Sequence, residues 1–245
     1  MHREHHKWYS NHLNRDMELT VFGHAGAKVF VFPTQSGRFF DWENRGMMET
    51  WSRHINNGWI QVYSLDSVDP ESWDNGYAHP HDRAVRHLQY HDYVINEVLP
   101  FADSKNCEPF RMAMGASMGA YHAASIGLRF PDHFNRVVAM SGIYDIRQWT
   151  DGYQDHEVWE GNPYEFIRGQ DHNMCERIAR TDWIIAIGKD DPAIEQNRQF
   201  SQSLWDRGIW HAFREWDGFA HDWPYWHKMI LLYTGGPESN DHPVD

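Results

Sequence analysis

The sequence predicts an α/β fold: a mostly parallel central sheet with helices on both faces and an antiparallel N-terminal edge. Three observations carry this. Short β-rich apolar runs alternate with longer stretches of helical composition, a rhythm that right-handed crossovers convert into a parallel sheet. The runs Lys28–Phe32, Arg136–Gly142 and Asp182–Gly188 are largely apolar without polar alternation, as strands buried on both faces are. Breaks at Pro33, Ser117, Gly188 and Gly218 all fall at the carboxyl ends of strands, the edge where such sheets gather their chemistry.

Taken in order, residues 1–27 read as an antiparallel entry, with strand composition over Met17–Phe22 and a turn at Gly23–Gly26. Lys28–Phe32 is a buried strand, ended by Pro33-Thr-Gln-Ser-Gly37. Asp41 is placed to cap one helix to about His54, stopped at Asn56-Asn57-Gly58. Trp59–Leu65 is the next strand, and residues 66–80 are a polar loop rich in Asp, Asn and Pro. A long helix is expected from about Asp82 to Val98, stopped by Pro100.

A strand from Phe110 leads into Ser117, and a helix follows until Phe130-Pro-Asp132. After the Arg136–Gly142 strand the rhythm fails: residues 144–181 show no steady period until a helical stretch at Cys175–Arg180. This is read as an excursion at the sheet's edge that partly roofs the site, or a plain surface connection. Asp182–Gly188, Ile194–Arg207, Trp210–Trp216 and Trp223–Tyr233 then read as strand, helix, strand and closing helix. Residues 235–245 read as a loose tail. The expectation is one domain over residues 1–245.

Composition bounds the function. With 245 residues, 41% hydrophobic and 23% charged, the chain can bury a sizeable core. A net charge of −13 disfavours nucleic acid and anionic membranes as partners. No run approaches the ~18 apolar residues of a membrane span, and the first ten residues lack the apolar core of a secretion signal, so a cytoplasmic location is expected. Cys107 and Cys175 have no metal-type spacing, and whether they pair is left open. The His2, His5, His6 and His79-Pro-His81 groups lack a defined ligand set, so no metal is expected. Nothing in the sequence sets an oligomeric state.

The chemistry centres on Gly115-Ala-Ser117-Met-Gly119, between an apolar strand and a helix. This is the strand–turn–helix context of a G-x-S-x-G nucleophile elbow. The glycines are needed because a serine on so sharp a turn leaves no room for a Cβ two residues away on either side. The first free amides of the following helix then point toward a developing oxyanion. Alone, the pattern arises by chance in about one chain in ten of this length. Two later stretches support it: Gly188-Lys-Asp-Asp-Pro192 and Asp217-Gly-Phe-Ala-His221, each directly after a strand. Serine, acid, histidine is the chain order of a nucleophile-elbow hydrolase. His122, five residues after the serine, points into the helix and is a weaker rival to His221.

The GASMG turn, the GKDDPAIEQNRQF stretch and the GFAHDWPYW stretch together resemble the Putative esterase branch of the α/β hydrolases. That branch includes esterase D (S-formylglutathione hydrolase), feruloyl and acetyl-xylan esterases, and the antigen 85 mycolyltransferases. The likeness runs from about residue 17 to 235. It implies the α/β-hydrolase fold, with Ser117 as nucleophile, His221 as general base and then acid, and Asp191 as the carboxylate orienting His221. Asp191 is preferred because the family's acid sits three residues after the strand-ending glycine; Asp190 is the alternative. For Asp217 and Asp222 a turn or surface role is expected. The resemblance further implies an oxyanion hole from the backbone N–H of Met118 and one from the loop after Phe32. Counting from the strand end gives Gln35, with Thr34 or Ser36 adjacent. That loop departs from the His-Gly or Asp-Gly patterns of many relatives.

The expected activity is therefore serine carboxylic ester hydrolysis through an acyl-enzyme, on short acyl or aryl esters, with a small-molecule ester as partner and no cofactor. Acyl transfer or thioester hydrolysis by the same residues is the alternative, and an inactive hydrolase-fold binding protein the non-enzymatic one. Arg38 and Phe39 beside the oxyanion loop, and Trp149, Tyr153 and Trp159 in the excursion, are candidate pocket walls.

Overall fold

The computed structural model describes residues 1–235; apart from Gly235, the expected tail lies outside the described residues. Eight strands form one sheet: β1 (Arg3–Ser10), β2 (Arg15–Phe22), β3 (Ala27–Phe32), β4 (Ile60–Leu65), β5 (Arg111–Ala116), β6 (Arg136–Met140), β7 (Asp182–Gly188) and β8 (Ala212–Trp216). Their spatial order is β1-β2-β4-β3-β5-β6-β7-β8. The β1–β2 and β2–β4 pairs are antiparallel and the other five pairs parallel.

The central strands split their side chains between two cores with a period of two. Phe30, Phe32, Ala113, Val137, Ala139, Trp183 and Ile185 face one core, while Val29, Val31, Met112, Met114, Val138, Met140 and Ala186 face the other. That is why these runs show no polar alternation. Each buried Val, Ile, Phe or Met contributes about 1.5–3 kcal/mol relative to exposure in water.

Strand β1 has no apolar run to announce it. Its side chains alternate between exposed and half-buried, and pairing with β2 across the full strand holds it. The single helix expected from Asp41 is three short ones: α1 (Asp41–Asn44), α2 (Met47–Thr50) and α3 (Ser52–Asn56). Gly46, at φ 75°, breaks the first from the second. Asp41 caps none of them; its Oδ2 accepts the Thr34 N–H at 3.0 Å and the Thr34 hydroxyl at 2.8 Å.

Helix α4 (Pro80–Tyr93) also differs from expectation, because Pro100 does not stop it. A π-helical turn at Val94–Val98 leads into α5 (Leu99–Lys105). The wider turn takes up a proline that lacks an N–H and crowds the carbonyl of the preceding turn. Helix α6 (Met118–Arg129) follows Ser117 directly. Residues 144–181 hold a 3₁₀ turn at Arg147–Trp149 and helices α7 (His156–Glu160), α8 (Pro163–Gly169) and α9 (His172–Ile178). Helices α10 (Ile194–Asp206) and α11 (Trp223–Thr234) follow. Cys107 is exposed, Cys175 is buried, and both are free thiols.

Candidate active site

Ser117 sits between β5 and α6 with φ 55° and ψ −119°, a left-handed conformation rare for a residue with a side chain. Its N–H donates to the Met140 carbonyl at 2.8 Å, which anchors the turn to β6. The flanking glycines are required sterically. A Cβ on Gly115 would lie 2.1 Å from the Gly119 carbonyl, and one on Gly119 would lie 2.4 Å from the Phe32 carbonyl oxygen. The second clash shows that the end of β3 presses against the start of α6, so the loop after Phe32 and the serine turn share one edge of the sheet.

His221 and Asp191 reach the same edge. The imidazole Nε2 is 3.0 Å from Ser117 Oγ, and Nδ1 is 2.7 Å from Asp191 Oδ2. Asp191 is buried at 3% exposure, and its Oδ1 accepts the Ala193 N–H at 2.8 Å. An acceptor-only carboxylate at Nδ1 holds the proton there and leaves Nε2 bare toward the serine. Asp190 is exposed, and its backbone N–H donates to the Gly218 carbonyl at 3.0 Å. The histidine is walled by Phe219, stacked at 5.6 Å, and by Trp226 at 5.7 Å. Asp217 is an exposed partner of Lys189 at 2.6 Å, and Asp222 caps α11 through the Trp223 N–H.

Two backbone donors beside this edge have no acceptor among the described residues. The Met118 N–H opens α6 and has no intrahelical partner. In the loop after β3, the Thr34 N–H is spent on Asp41 and the Ser36 N–H on Asp69 Oδ2 at 3.1 Å. The Gln35 N–H between them is not spent, while the Gln35 side chain donates to Asp74 Oδ1 at 2.6 Å.

The expected pocket walls separate into two groups. Trp149 packs on Trp73 and Tyr121, and Tyr153 on His79; both join a small core with Met118. Trp159 does not. It packs on Phe166 and His156 and donates to the Glu165 carbonyl. It lines a cavity of about 430 Å³ with Glu165, Arg168 and Arg207, whose lining includes neither Ser117 nor His221. Arg38 donates to Asp66 and Glu18, and the Phe39 ring stacks on His5. Those contacts lead toward β1 and β2.

Sequence reasoning missed a buried histidine cluster behind the serine. His87, His91 and His122 bring ring nitrogens within 4.8 Å of one another. His122 Nε2 meets Asp69 Oδ1 at 2.8 Å, His87 Nε2 meets Ser125 Oγ at 3.3 Å, and Arg129 Nη1 meets His91 Nδ1 at 2.7 Å. Guanidinium can only donate, so His91 carries its proton on Nε2, the nitrogen a cation would need bare. With the Arg129 charge alongside, the cluster suits neutral imidazoles better than a metal. Burial, reinforced by neighbouring cationic groups, holds His87 and His91 well below the usual imidazole range. The only signal in the sequence was the His87, His91 spacing of four on one helix face, which core histidines also show.

An eight-stranded sheet of this order, with a left-handed serine between strand and helix at its carboxyl edge, is the fold of an α/β hydrolase. Residues 10–232 match the family described as Putative esterase, and the chain belongs to that family. An acetyl esterase of Caldicellulosiruptor saccharolyticus is 25% identical over 161 residues, 57% of this chain. The match spans 60% of that relative's length. Among solved structures, a ferulic acid esterase superposes with a TM-score of 0.75 at 20% identity, over 94% of each chain. An S-formylglutathione hydrolase of Staphylococcus aureus gives 0.66 at 16% identity, over 94% of this chain and 96% of that one. At such identities the likeness concerns the fold.

Proposed function

We propose that the protein hydrolyses carboxylic esters of short acyl or aryl groups through a covalent acyl-serine, with Ser117, His221 and Asp191 as its catalytic residues. The observation that carries this reading is the unbroken hydrogen-bonded line from Asp191 Oδ2 through both His221 nitrogens to Ser117 Oγ.

Ser117 Oγ attacks the ester carbonyl while His221 Nε2 takes its proton. The imidazolium that forms is stabilised by Asp191, itself held by the Ala193 N–H. The tetrahedral oxyanion accepts from the Met118 and Gln35 amides, preorganised donors that need no reorientation during the reaction. Nε2 then protonates the leaving alcohol, and the C–O bond to it breaks. Water, deprotonated by the same nitrogen, attacks the acyl carbon; the bond to Ser117 Oγ then breaks, Nε2 returns its proton to Oγ, and the acid leaves. Trp149 and Tyr153, packed in one cluster with Met118, are the walls we assign to the substrate. Arg38, Phe39 and Trp159 have other partners.

The test is covalent labelling with a fluorophosphonate, followed by turnover of p-nitrophenyl esters of increasing acyl length. Labelling should map to Ser117 and vanish in Ser117→Ala; label retained by that variant rejects the reading. A steep fall in kcat/KM beyond short chains is expected, and a flat series would reject the short-ester assignment.

A further inference from the structure

We infer that Asp69 and His122 are positioning residues for the oxyanion hole: a buried clamp that ties the Gln35 amide to the helix carrying the Met118 amide. The inference rests on the catalytic reading above and extends it to residues outside the triad.

Three observations build the clamp. First, the loop bearing Gln35 does not hold its shape through secondary structure; carboxylates hold it. Asp41 takes the Thr34 N–H, Asp69 Oδ2 takes the Ser36 N–H at 3.1 Å, and Asp74 takes the Gln35 and Ser36 side chains. Ser36 is kept at φ 52°, a conformation costly for serine unless its surroundings impose it. With the amides on either side engaged, the peptide plane of Gln35 is set, and its N–H has no acceptor among the described residues.

Second, the carboxylate gripping Ser36 is itself gripped from behind. Asp69 and His122 are both fully buried, and the other carboxylate oxygen of Asp69 meets His122 Nε2 at 2.8 Å. A buried carboxylate needs such partners, and here they are one amide of the loop and one imidazole. Third, His122 stands on α6, whose first amide is that of Met118. Both donors of the hole are therefore referenced to one helix, the first directly and the second through His122, Asp69 and Ser36. A hole built from two chain segments works only if its donors keep their spacing, since displacement of about 1 Å can cost a hundredfold in rate.

The clamp predicts a defect confined to the charged transition state. Asp69→Asn replaces one accepting oxygen by a donor, so either Ser36 N–H or His122 Nε2–H loses its acceptor. His122→Phe removes the donor, whereas His122→Gln can present its amide N–H near the same place. With kcat counted per fluorophosphonate-titrated site, Asp69→Asn and His122→Phe should lose about 10- to 100-fold in kcat. KM should stay within about threefold. His122→Gln should recover most of the loss. Affinity for an aryl trifluoromethyl ketone, whose serine adduct places an oxyanion in the hole, should fall in step with kcat. A merely structural role would not link those two quantities. Wild-type kcat per titrated site in Asp69→Asn, or in His122→Phe if Asp69→Asn does not fold, would overturn the clamp. So would a kcat loss without weaker ketone binding. Label surviving in Ser117→Ala would instead remove the reading beneath it.

Discussion

Gly188 lies so close to Phe219 that a Cβ on it would sit 2.0 Å from the Phe219 carbonyl oxygen. Backbone bonds lock the same approach: Lys189 N–H to the Trp216 carbonyl at 2.8 Å and Asp190 N–H to the Gly218 carbonyl at 3.0 Å. The loop that carries Asp191 and the loop that carries His221 are thus a joined pair. Their spacing sets the Asp191–His221 bond. Gly188→Ala should destabilise the protein by about 1–3 kcal/mol through overpacking and lower kcat at least tenfold by parting the loops. Thermal unfolding and ester turnover on one preparation check it; wild-type values in both would refute the coupling.

Adjacent aspartates should differ sharply. Asp191 is buried against His221, while the Asp190 side chain is exposed. Asp191→Asn should cost on the order of 10⁴ in kcat, because an amide at that position favours the wrong imidazole tautomer. Asp190→Asn should remain within about threefold of wild type. Steady-state kinetics on the two variants decide between them.

Ser117 and His221 should act as one unit. Either alanine variant is expected to lose on the order of 10⁶ in kcat, and the double variant little more. If the two losses instead multiplied, the 3.0 Å contact between them would not be the proton-transfer path.

Acid should destabilise the fold through the histidine cluster. Burial lowers the folded-state pKa of His87 and of His91, with neighbouring imidazoles and Arg129 adding to the effect; the nearby anions are Asp69, bonded to His122, and Glu160, paired with Arg129. Below about pH 6.5 the unfolded chain binds protons that the folded chain refuses. Stability contributed by the neutral rings is therefore present above pH 6.5 and lost as pH falls below it. The slope is about 1.4 kcal/mol per pH unit for each histidine. Urea midpoints between pH 7.5 and 5 should show it, and His87→Gln should reduce the slope by about one proton.

The parallel sheet and its elbow were legible because both rest on local rules. Strands buried on two faces must be apolar throughout, and a strained serine turn admits only glycine at positions 115 and 119. The antiparallel edge was partly legible, since β1 offers no apolar run and is held by its neighbour. The Asp41 cap was misplaced and Pro100 does not end its helix, because Thr34 and a π-helical turn offered those residues better partners than the local pattern suggested.

The sequence by itself determined the succession of the central parallel strands, the serine turn, and the residues from which an acid and a base would be drawn. Only the tertiary structure decided that Asp191 rather than Asp190 meets His221, that Trp159 belongs to another cavity, and that His122 grips Asp69. Each of these depends on which atoms occupy the same few ångströms. Distance along the chain carries no record of that: residues 117 and 221 are 3.0 Å apart at their side chains because the strands bearing their turns lie in one sheet.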